Sequence, residues 1–404
     1  MPCRRSGFWG VLPLRAPASA GTVQVGAVTE GGSSSLGAIE VTELPGPSGP
    51  RRPGLIAICM ATFNPDPSLL RTQLDSLRAQ TDRNWTCVIS DDHSDPDLYA
   101  KLEGLVAADD RFMVSRGERR LGFYRNFERA LSLAPAEAEL FALCDQDDVW
   151  HPDKLAVLRG ALGSASLVYS DLRLVQPDGR VLRETLWRGR SNNFTNLASM
   201  LVANTVTGAS ALFRREVTEL ALPFPDCPGM EFHDHWIALV ALASGDLAYV
   251  DRPLYDYVQH EGAILGMVAG ETRPRRRRAL RMRVWRAAYF LGFVQVRMRA
   301  LTLLLRCGEG ITPAKRRVLR RFLAFETSPA AFAWFVLRPA RALLGHNETL
   351  AGEWELARGI VWRWAAALTA VSWWPERLEL DTRFPDEALF EHTRLRRWRA
   401  RTWS

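Results

Sequence analysis

Between residues 55 and 175 short apolar runs alternate with segments whose apolar residues recur every three or four positions. Leu55–Met60, Thr86–Ser90, Phe112–Ser115, Leu140–Cys144 and Ala165–Asp171 are strand-like, and their apolar character is continuous rather than alternating. A strand with that pattern is buried on both faces, as in a parallel sheet. Leu69, Leu70, Leu74 and Leu77 share one helical face, which predicts a helix over Leu69–Gln80. Leu98–Ala108, Phe123–Leu133 and Leu155–Leu162 follow the same rule. The alternation predicts an α/β fold, a mostly parallel Rossmann-like sheet sandwiched by helices. Farther on, Val206–Arg214 reads as a strand containing Gly208, Trp236–Ala243 as a helix, and Ala248–Val250 as a last short strand. Ligands of such sheets bind at the carboxyl ends of the strands. The acidic turns after Ser90 and Cys144 both fall there, so they should line one crevice.

The flanks differ from this body. Residues 1–50 are rich in Gly, Ser and Pro, which predicts a disordered or loosely attached leader. Arg4, Arg5 and the apolar Gly7–Leu14 have the outline of a targeting signal, but Pro13 and Arg15 interrupt it, and a plain tail is the better reading. Residues 51–270 form the α/β unit, and residues 271–404 change to Arg, Leu, Ala and Trp with almost no strand signal, a basic helical region. The net charge of +7 is concentrated there: Arg273–Arg321 holds sixteen Lys or Arg against Glu309 alone, so the remainder is near −8. The six cysteines include no CxxC pair, which argues for a reducing compartment and against a zinc site. No uncharged apolar run reaches the roughly 18 residues that span a bilayer.

The chemistry concentrates in Leu140–Leu155, where an apolar strand ends in Asp145, Asp147 and Asp148. Three like charges at a strand end are costly unless a cation sits among them. Asp145 and Asp147 are two apart and share a face on extended backbone, an arrangement that suits one divalent ion shared with a diphosphate. The alternative is a solvated turn with Asp148 capping the next helix. Arg120 and Arg125 are candidates to offset diphosphate charge, or are plain surface arginines. Asp234 stands at the start of the Trp236 helix, where it is either a helix cap or a functional carboxylate.

Five blocks in order, MATFNP, SDDHSD, LGFYRNF, CDQDDVWHPDKL, and HDHW followed by YVQHEG, resemble glycosyltransferase family 2, which has the GT-A nucleotide-sugar fold, and in particular its rhamnosyltransferase-like bacterial members. The resemblance covers roughly 55–266. It implies an inverting, metal-dependent glycosyltransferase that moves a sugar from a nucleotide-diphosphate donor to an acceptor hydroxyl in cell-surface polysaccharide or glycolipid synthesis. The roles it implies are nucleotide contacts from Ala61, Thr62, Phe63, Asp92, Arg125, Asn126 and Asp145, with Asp92 on the base imide. Asp147 would bind Mg2+ or Mn2+, with His260 reaching the metal or diphosphate, and Asp234 would be the general base. Many members carry Glu-Asp where this chain has His233-Asp234, which leaves Glu231, His233 and His235 without assigned roles. The QxxRW element of processive synthases is absent, which fits one sugar per encounter.

The donor expected is dTDP-rhamnose or a UDP-hexose, and the acceptor a saccharide or a lipid-linked saccharide. The basic, aromatic tail fits an anionic membrane surface, with the protein cytoplasmic and peripheral at the inner face of the membrane. It also fits a bundle whose arginines snorkel over its own core. No motif points to nucleic acid. Three other readings use the same residues: a GT-A-like nucleotidyltransferase, a non-catalytic nucleotide-binding relative, and a membrane scaffold.

Overall fold

The computed structural model describes residues 21–29, 32–41, 50–187, 192–226, 232–260, 288–325, 327–338 and 350–368. The N-terminal targeting-like stretch, Glu231, the arginine run at 273–286 and residues 369–404 lie outside them. Within the expected leader, β1 (Gly21–Thr29) and β2 (Gly32–Val41) pair as an antiparallel hairpin. Composition hid it, although Val23 and Val25 alternate with Thr22 and Gln24 in strand fashion.

The main sheet grows from β3 (Ile56–Thr62), β4 (Trp85–Asp91), β5 (Phe112–Arg116) and β6 (Leu140–Cys144), all parallel, in the order β5-β4-β3-β6. Helices α1 (Pro67–Arg78), α2 (Pro96–Val106) and α3 (Phe123–Ser132) connect them. Every residue of β6, and Ile56–Met60 of β3, is buried, as the unbroken apolar runs require. Asp66 caps α1, its carboxylate accepting from the Ser68 and Leu69 N–H groups, with Pro67 fixing the first turn.

Beyond β6 the sheet becomes mixed. After β7 (Val149–Trp150) and α4 (Lys154–Leu162), β8 (Leu167–Val175) runs parallel to β6, and β10 (Ala211–Arg214) lies antiparallel between them. The short β9 (Val181–Arg183) pairs with the outer part of β8. The expected strand Val206–Arg214 is only half strand, because Gly208–Ser210 is a single 3-10 turn at the carboxyl edge of the sheet. Helices α5 (Leu197–Val202), α6 (Arg215–Ala221) and α7 (His233–Ser244) cover one face.

The last strand, β11 (Leu247–Val258), is far longer than the expected Ala248–Val250. Pro253 reads as a strand end in the sequence, yet two register shifts on its parallel pairing with β8 absorb it. The extension pairs Tyr255 and Asp256 with β7, and so brings His260 to the acidic turn.

Helix α7 is buried all round from His235 to Ala243, which needs a cover on its outer side. The C-terminal helices supply it: a one-turn π segment, Tyr289–Phe293, leads into α8 (Val294–Arg306), followed by α9 (Pro313–Ala324), α10 (Pro329–Leu337) and α11 (Leu350–Leu368). Phe293, Leu303, Phe322 and Ile360 share one core with Trp236 and Leu239. Several basic groups of this region face inward. Arg299 donates to the Leu201 carbonyl (2.9 Å), Arg306 to that of Leu222 (2.7 Å), and Lys315 to that of Gly245 (2.5 Å). These are carbonyls at or near helix C-terminal ends, where a cation is the natural partner. The described helices thus follow the packing reading of the tail. None of them is long and apolar enough to cross a membrane.

A further tie is ionic. Arg338 lies 3.0 Å from Glu353, which is fully buried, and also donates to Ser199 of α5. Glu353→Leu leaves a buried guanidinium without its carboxylate, so a loss of about 3–5 kcal/mol in chemical denaturation is expected. The double variant Arg338→Met/Glu353→Leu should recover most of it.

Candidate active site

The carboxyl ends of β3, β4 and β6 are laced together by side chains, which places the sequence blocks in one crevice. Gln146 makes the first tie: its carbonyl accepts from the Phe63 N–H (2.8 Å) and its amide donates back to the Phe63 carbonyl (3.3 Å). Asn64, in the left-handed region at φ 41°, and Ser94 make the second, Ser94 Oγ accepting from Asn64 N–H and Asn64 Oδ1 from Asp95 N–H, both at 2.8 Å. Asp91 is buried among Thr62 Oγ1 (3.1 Å) and the N–H and hydroxyl of Ser94. It holds the turn together.

The expected nucleotide contacts separate here. Asp92 is 3% exposed, and its two oxygens accept from the Leu121 and Gly122 N–H groups at 2.6 and 2.8 Å. It anchors the turn ahead of α3, whose Gly122 sits at φ +85°. Thr62 is buried, and its carbonyl already accepts from Asp92 N–H and from Asn126. Ala61 is held in the β3–β4 ladder. Of that block Phe63 alone presents a partly exposed ring, with the Arg120 guanidinium 3.8 Å above its centre.

Arg125 and Asn126 are both engaged by the fold. Asn126 is buried and straps β3 to β4, accepting from Ser90 Oγ (2.6 Å) and donating to the Ser90 and Thr62 carbonyls. Arg125 pairs with Glu128 (2.6 Å) and donates to the Phe224 carbonyl (2.9 Å). Both side chains serve the scaffold around α3, a use of Arg and Asn that a motif does not distinguish from ligand binding.

The acidic turn holds more negative charge than the protein neutralises. Burial raises the Asp145 carboxyl to about 7, with Asp147 and Asp234 adding repulsion. Asp148 is 1% exposed and does not cap α4; its Oδ1 accepts weakly from the Val258 N–H (3.3 Å), and its Oδ2 has no partner. Burial and the neighbouring aspartates push its carboxyl well up. The cation behind the turn is Lys154, fully buried, its ammonium bonded to the Ala209 carbonyl and 3.2 Å from the centre of the Trp150 ring. Burial lowers it to about 7 despite the pull of Asp148 and Asp145. Asp147, partly exposed, meets His260 with Oδ2 and Nε2 2.9 Å apart.

No group of three or more candidate metal ligands assembles among the described residues. The donor set nonetheless suits a hard cation that takes few protein ligands: one carboxylate and one imidazole side by side, with an unpartnered buried carboxylate oxygen, Asp148 Oδ2, in the same turn. Asp147 and His260 are the residues able to hold it.

Asp234 lies in the first turn of α7, and its carboxyl is raised to about 6 by burial, against hydrogen bonds from the His235 and Gly208 N–H groups. The two histidines beside it are scaffold. His233 stacks on Phe127 with ring centres 3.8 Å apart, and His235 Nε2 lies 2.7 Å from the Met200 carbonyl. Burial lowers both to about 3, so both are neutral at physiological pH.

The 3-10 turn sets Asp234 in place. A Cβ on Gly208 would meet His233 Nε2 at 2.8 Å, so the buried ring stacked on Phe127 must give way beside Asp234, whose Cβ at 3.5 Å is in ordinary contact. Gly208→Ala should therefore shift Asp234 and lower turnover by up to about 10²-fold, the cost of a misplacement near 1 Å. Steady-state kinetics on a variant with native circular dichroism checks this. Sequence reading missed Gly208, Gln146 and Lys154. Lys154 was the one legible in principle, being the sole cation within CDQDDVWHPDKL.

Comparison with known proteins agrees with the motif order. Residues 57–220 match the model of the glycosyl transferase family 2 domain. An uncharacterized protein of Sinorhizobium fredii, y4gI, is 31% identical over 121 residues, 29% of this chain and 13% of that protein's length. Among solved structures, Staphylococcus aureus TarS 1–349 in complex with UDP-GlcNAc is similar at 14% identity and TM-score 0.47, over 79% of this chain and 93% of that one. The mannosyltransferase PcManGT of Pyrobaculum calidifontis, in complex with GDP-Man and Mn2+, is similar at 19% identity and TM-score 0.42, over 80% and 90%. Residues 57–220, which carry the first four blocks along the parallel part of the α/β sheet, thus match the glycosyl transferase family 2 domain.

Proposed function

We propose that the protein is an inverting glycosyltransferase that takes a sugar from a nucleotide-diphosphate donor and places it on a hydroxyl of a saccharide or lipid-linked acceptor in cell-envelope synthesis. The observation that carries this is the meeting of Asp234, in the first turn of α7, with the acidic turn after β6: Asp145 feels the charge of both Asp147 and Asp234. In this reading a donor and an acceptor station adjoin at the sheet's carboxyl edge.

In this reading the diphosphate lies against Asp147 and His260, which would hold Mg2+ or Mn2+. When bound, that ion supplies charge to stabilise the departing diphosphate. Asp145 approaches the ribose, and Asp92 with Phe63 borders the base. The Asp234 carboxylate takes the proton of the acceptor hydroxyl while its oxygen bonds to the anomeric carbon. The bond from that carbon to the diphosphate oxygen breaks on the opposite face, and its electron pair leaves with the diphosphate. One attack from the rear inverts the anomeric centre.

A panel of dTDP-, UDP- and GDP-sugars with Mg2+ or Mn2+ tests the class. Release of nucleoside diphosphate coupled to a new glycoside is expected. Release of pyrophosphate from a nucleoside triphosphate and a sugar phosphate would instead identify a nucleotidyltransferase.

The pH dependence follows from Asp234. Only its ionised form accepts a proton, so kcat/KM should rise with pH through about 6 and level above it. The same shift has a stability consequence of opposite sign. A folded-state value above the unfolded one means that ionisation is disfavoured in the fold, so this group's cost grows as pH rises from about 4 to about 6.

A further inference from the structure

On the same side of the sheet as the proposed base lies a cluster in which the fold leaves several polar groups unsatisfied. Ala211 of β10 pairs with Tyr169 of β8, and Tyr169 with Tyr249 of β11. One residue on, Leu212 pairs with Ala142, two residues before the end of β6. Tyr169 thus stands two strands, about 10 Å, from the β6 edge that carries the acidic turn. Leu143, Ala211 and Tyr169 belong to one side of the core. The space a Gly208 Cβ would fill touches both Leu143 and Asp234 on that side.

Over Tyr169 lie Phe194 and Tyr249, three rings in mutual contact with centres 5.0–6.0 Å apart. Phe194 and Tyr249 are partly exposed. Beside them the Tyr169 hydroxyl donates to Asn192 Oδ1 (2.5 Å). The amide nitrogens of Asn192 and Asn193 are buried with no hydrogen-bond partner. The Thr205 hydroxyl, on a residue 5% exposed, adjoins the Tyr169 hydroxyl and likewise has no completed hydrogen bond. Buried donors left open cost about 1–3 kcal/mol each and are rare in folded proteins. The neighbouring asparagines show the contrast: Asn196 caps α5 and Asn204 closes a turn on Val206. Thr205 lies three positions before Gly208, at most about 10 Å of chain.

Aromatic faces together with open amide and hydroxyl groups match the two surfaces of a pyranose, a C–H face that stacks and an equatorial rim of hydroxyls that accepts hydrogen bonds. We propose that Asn192, Asn193 and Thr205, with the rings of Phe194 and Tyr249, bind the pyranose of the acceptor whose hydroxyl is presented to Asp234. This rests on the glycosyltransferase reading and adds that the acceptor is a sugar ring rather than a simple lipid alcohol or phosphate.

Saturation-transfer NMR tests it with methyl glucopyranosides, methyl β-galactopyranoside and methyl α-rhamnopyranoside, in the presence of Mg2+ and UDP, GDP or dTDP. At least one pyranoside should show transfer to its ring C–H protons. Asn192→Asp and Asn193→Asp, which keep shape but remove the donor, and Thr205→Val should each weaken pyranoside binding about tenfold, the loss of one hydrogen bond. Nucleotide binding by calorimetry and the circular dichroism spectrum should stay unchanged. Equal pyranoside binding in all variants overturns the proposal, as does a wild-type protein that binds nucleotide and no pyranoside. If no nucleoside diphosphate binds the wild type, it is the glycosyltransferase reading that fails, and a variant-sensitive pyranoside signal would still locate the sugar site.

Discussion

Asp234→Asn should reduce sugar transfer by about 10²–10⁴-fold, the range set by losing a positioned general base. The amide is isosteric, so the first turn of α7 and the Gly208 N–H contact should survive, and nucleoside diphosphate binding should remain within about twofold of wild type, since the substitution leaves Asp147 and His260 in place. The pH-rate profile sharpens the test. The ascending limb near 6 belongs to this carboxyl and should vanish in the variant, leaving a low, flat rate. A variant that keeps full transfer would remove the base from the mechanism. The neighbours argue against a substitute, because His233 and His235 are buried, neutral and bound up with Phe127 and Met200.

Asp147→Asn has the second large effect, and its signature differs. In the proposed reading this carboxylate and His260 would hold the divalent ion, and an ion at a leaving diphosphate contributes several kcal/mol, or about 10²–10³-fold in rate. Metal-dependent nucleotide binding should weaken together with turnover. In Asp234→Asn only turnover should fall. Calorimetry with UDP, GDP and dTDP, with and without Mn2+, separates the two. Removing Asp147 also removes one repulsive neighbour of Asp145 and Asp148, so the variant should be no less stable than the parent in thermal unfolding.

The legible part of this protein was its period and its punctuation. Leu69, Leu70, Leu74 and Leu77 located α1, and the unbroken run Leu140–Cys144 located β6 to the residue. Motif order located the crevice. Helix α5, with its Asn196 cap, went unread because six residues hold too little periodicity. The length of β11 was hidden by Pro253, since two bulges that accommodate a proline leave no mark in composition. The 3-10 turn at Gly208 lay inside what reads as one strand.

The motif residues divide in an instructive way. Asp147, His260, Asp145 and Asp234 converge although as many as 115 positions separate them, and that follows from β11 returning along β7 and from α7 starting beside β6. Asn126 and Arg125, from a block equally suggestive on paper, became scaffold. Lys154 went the other way, from an unremarked helix residue to the buried cation behind three aspartates.

By itself the sequence determined which segments are strands and helices and which residue types crowd the carboxyl edge, because burial periodicity and like-charge clusters are local properties of the chain. Tertiary structure alone decided which polar groups are used up. Hydrogen-bond saturation depends on partners distant in sequence, such as Leu121 and Gly122 on Asp92 or Phe63 on Gln146, and it separates side chains already satisfied by the fold from those, like Asp148, Asn192 and Asn193, that still have an open valence.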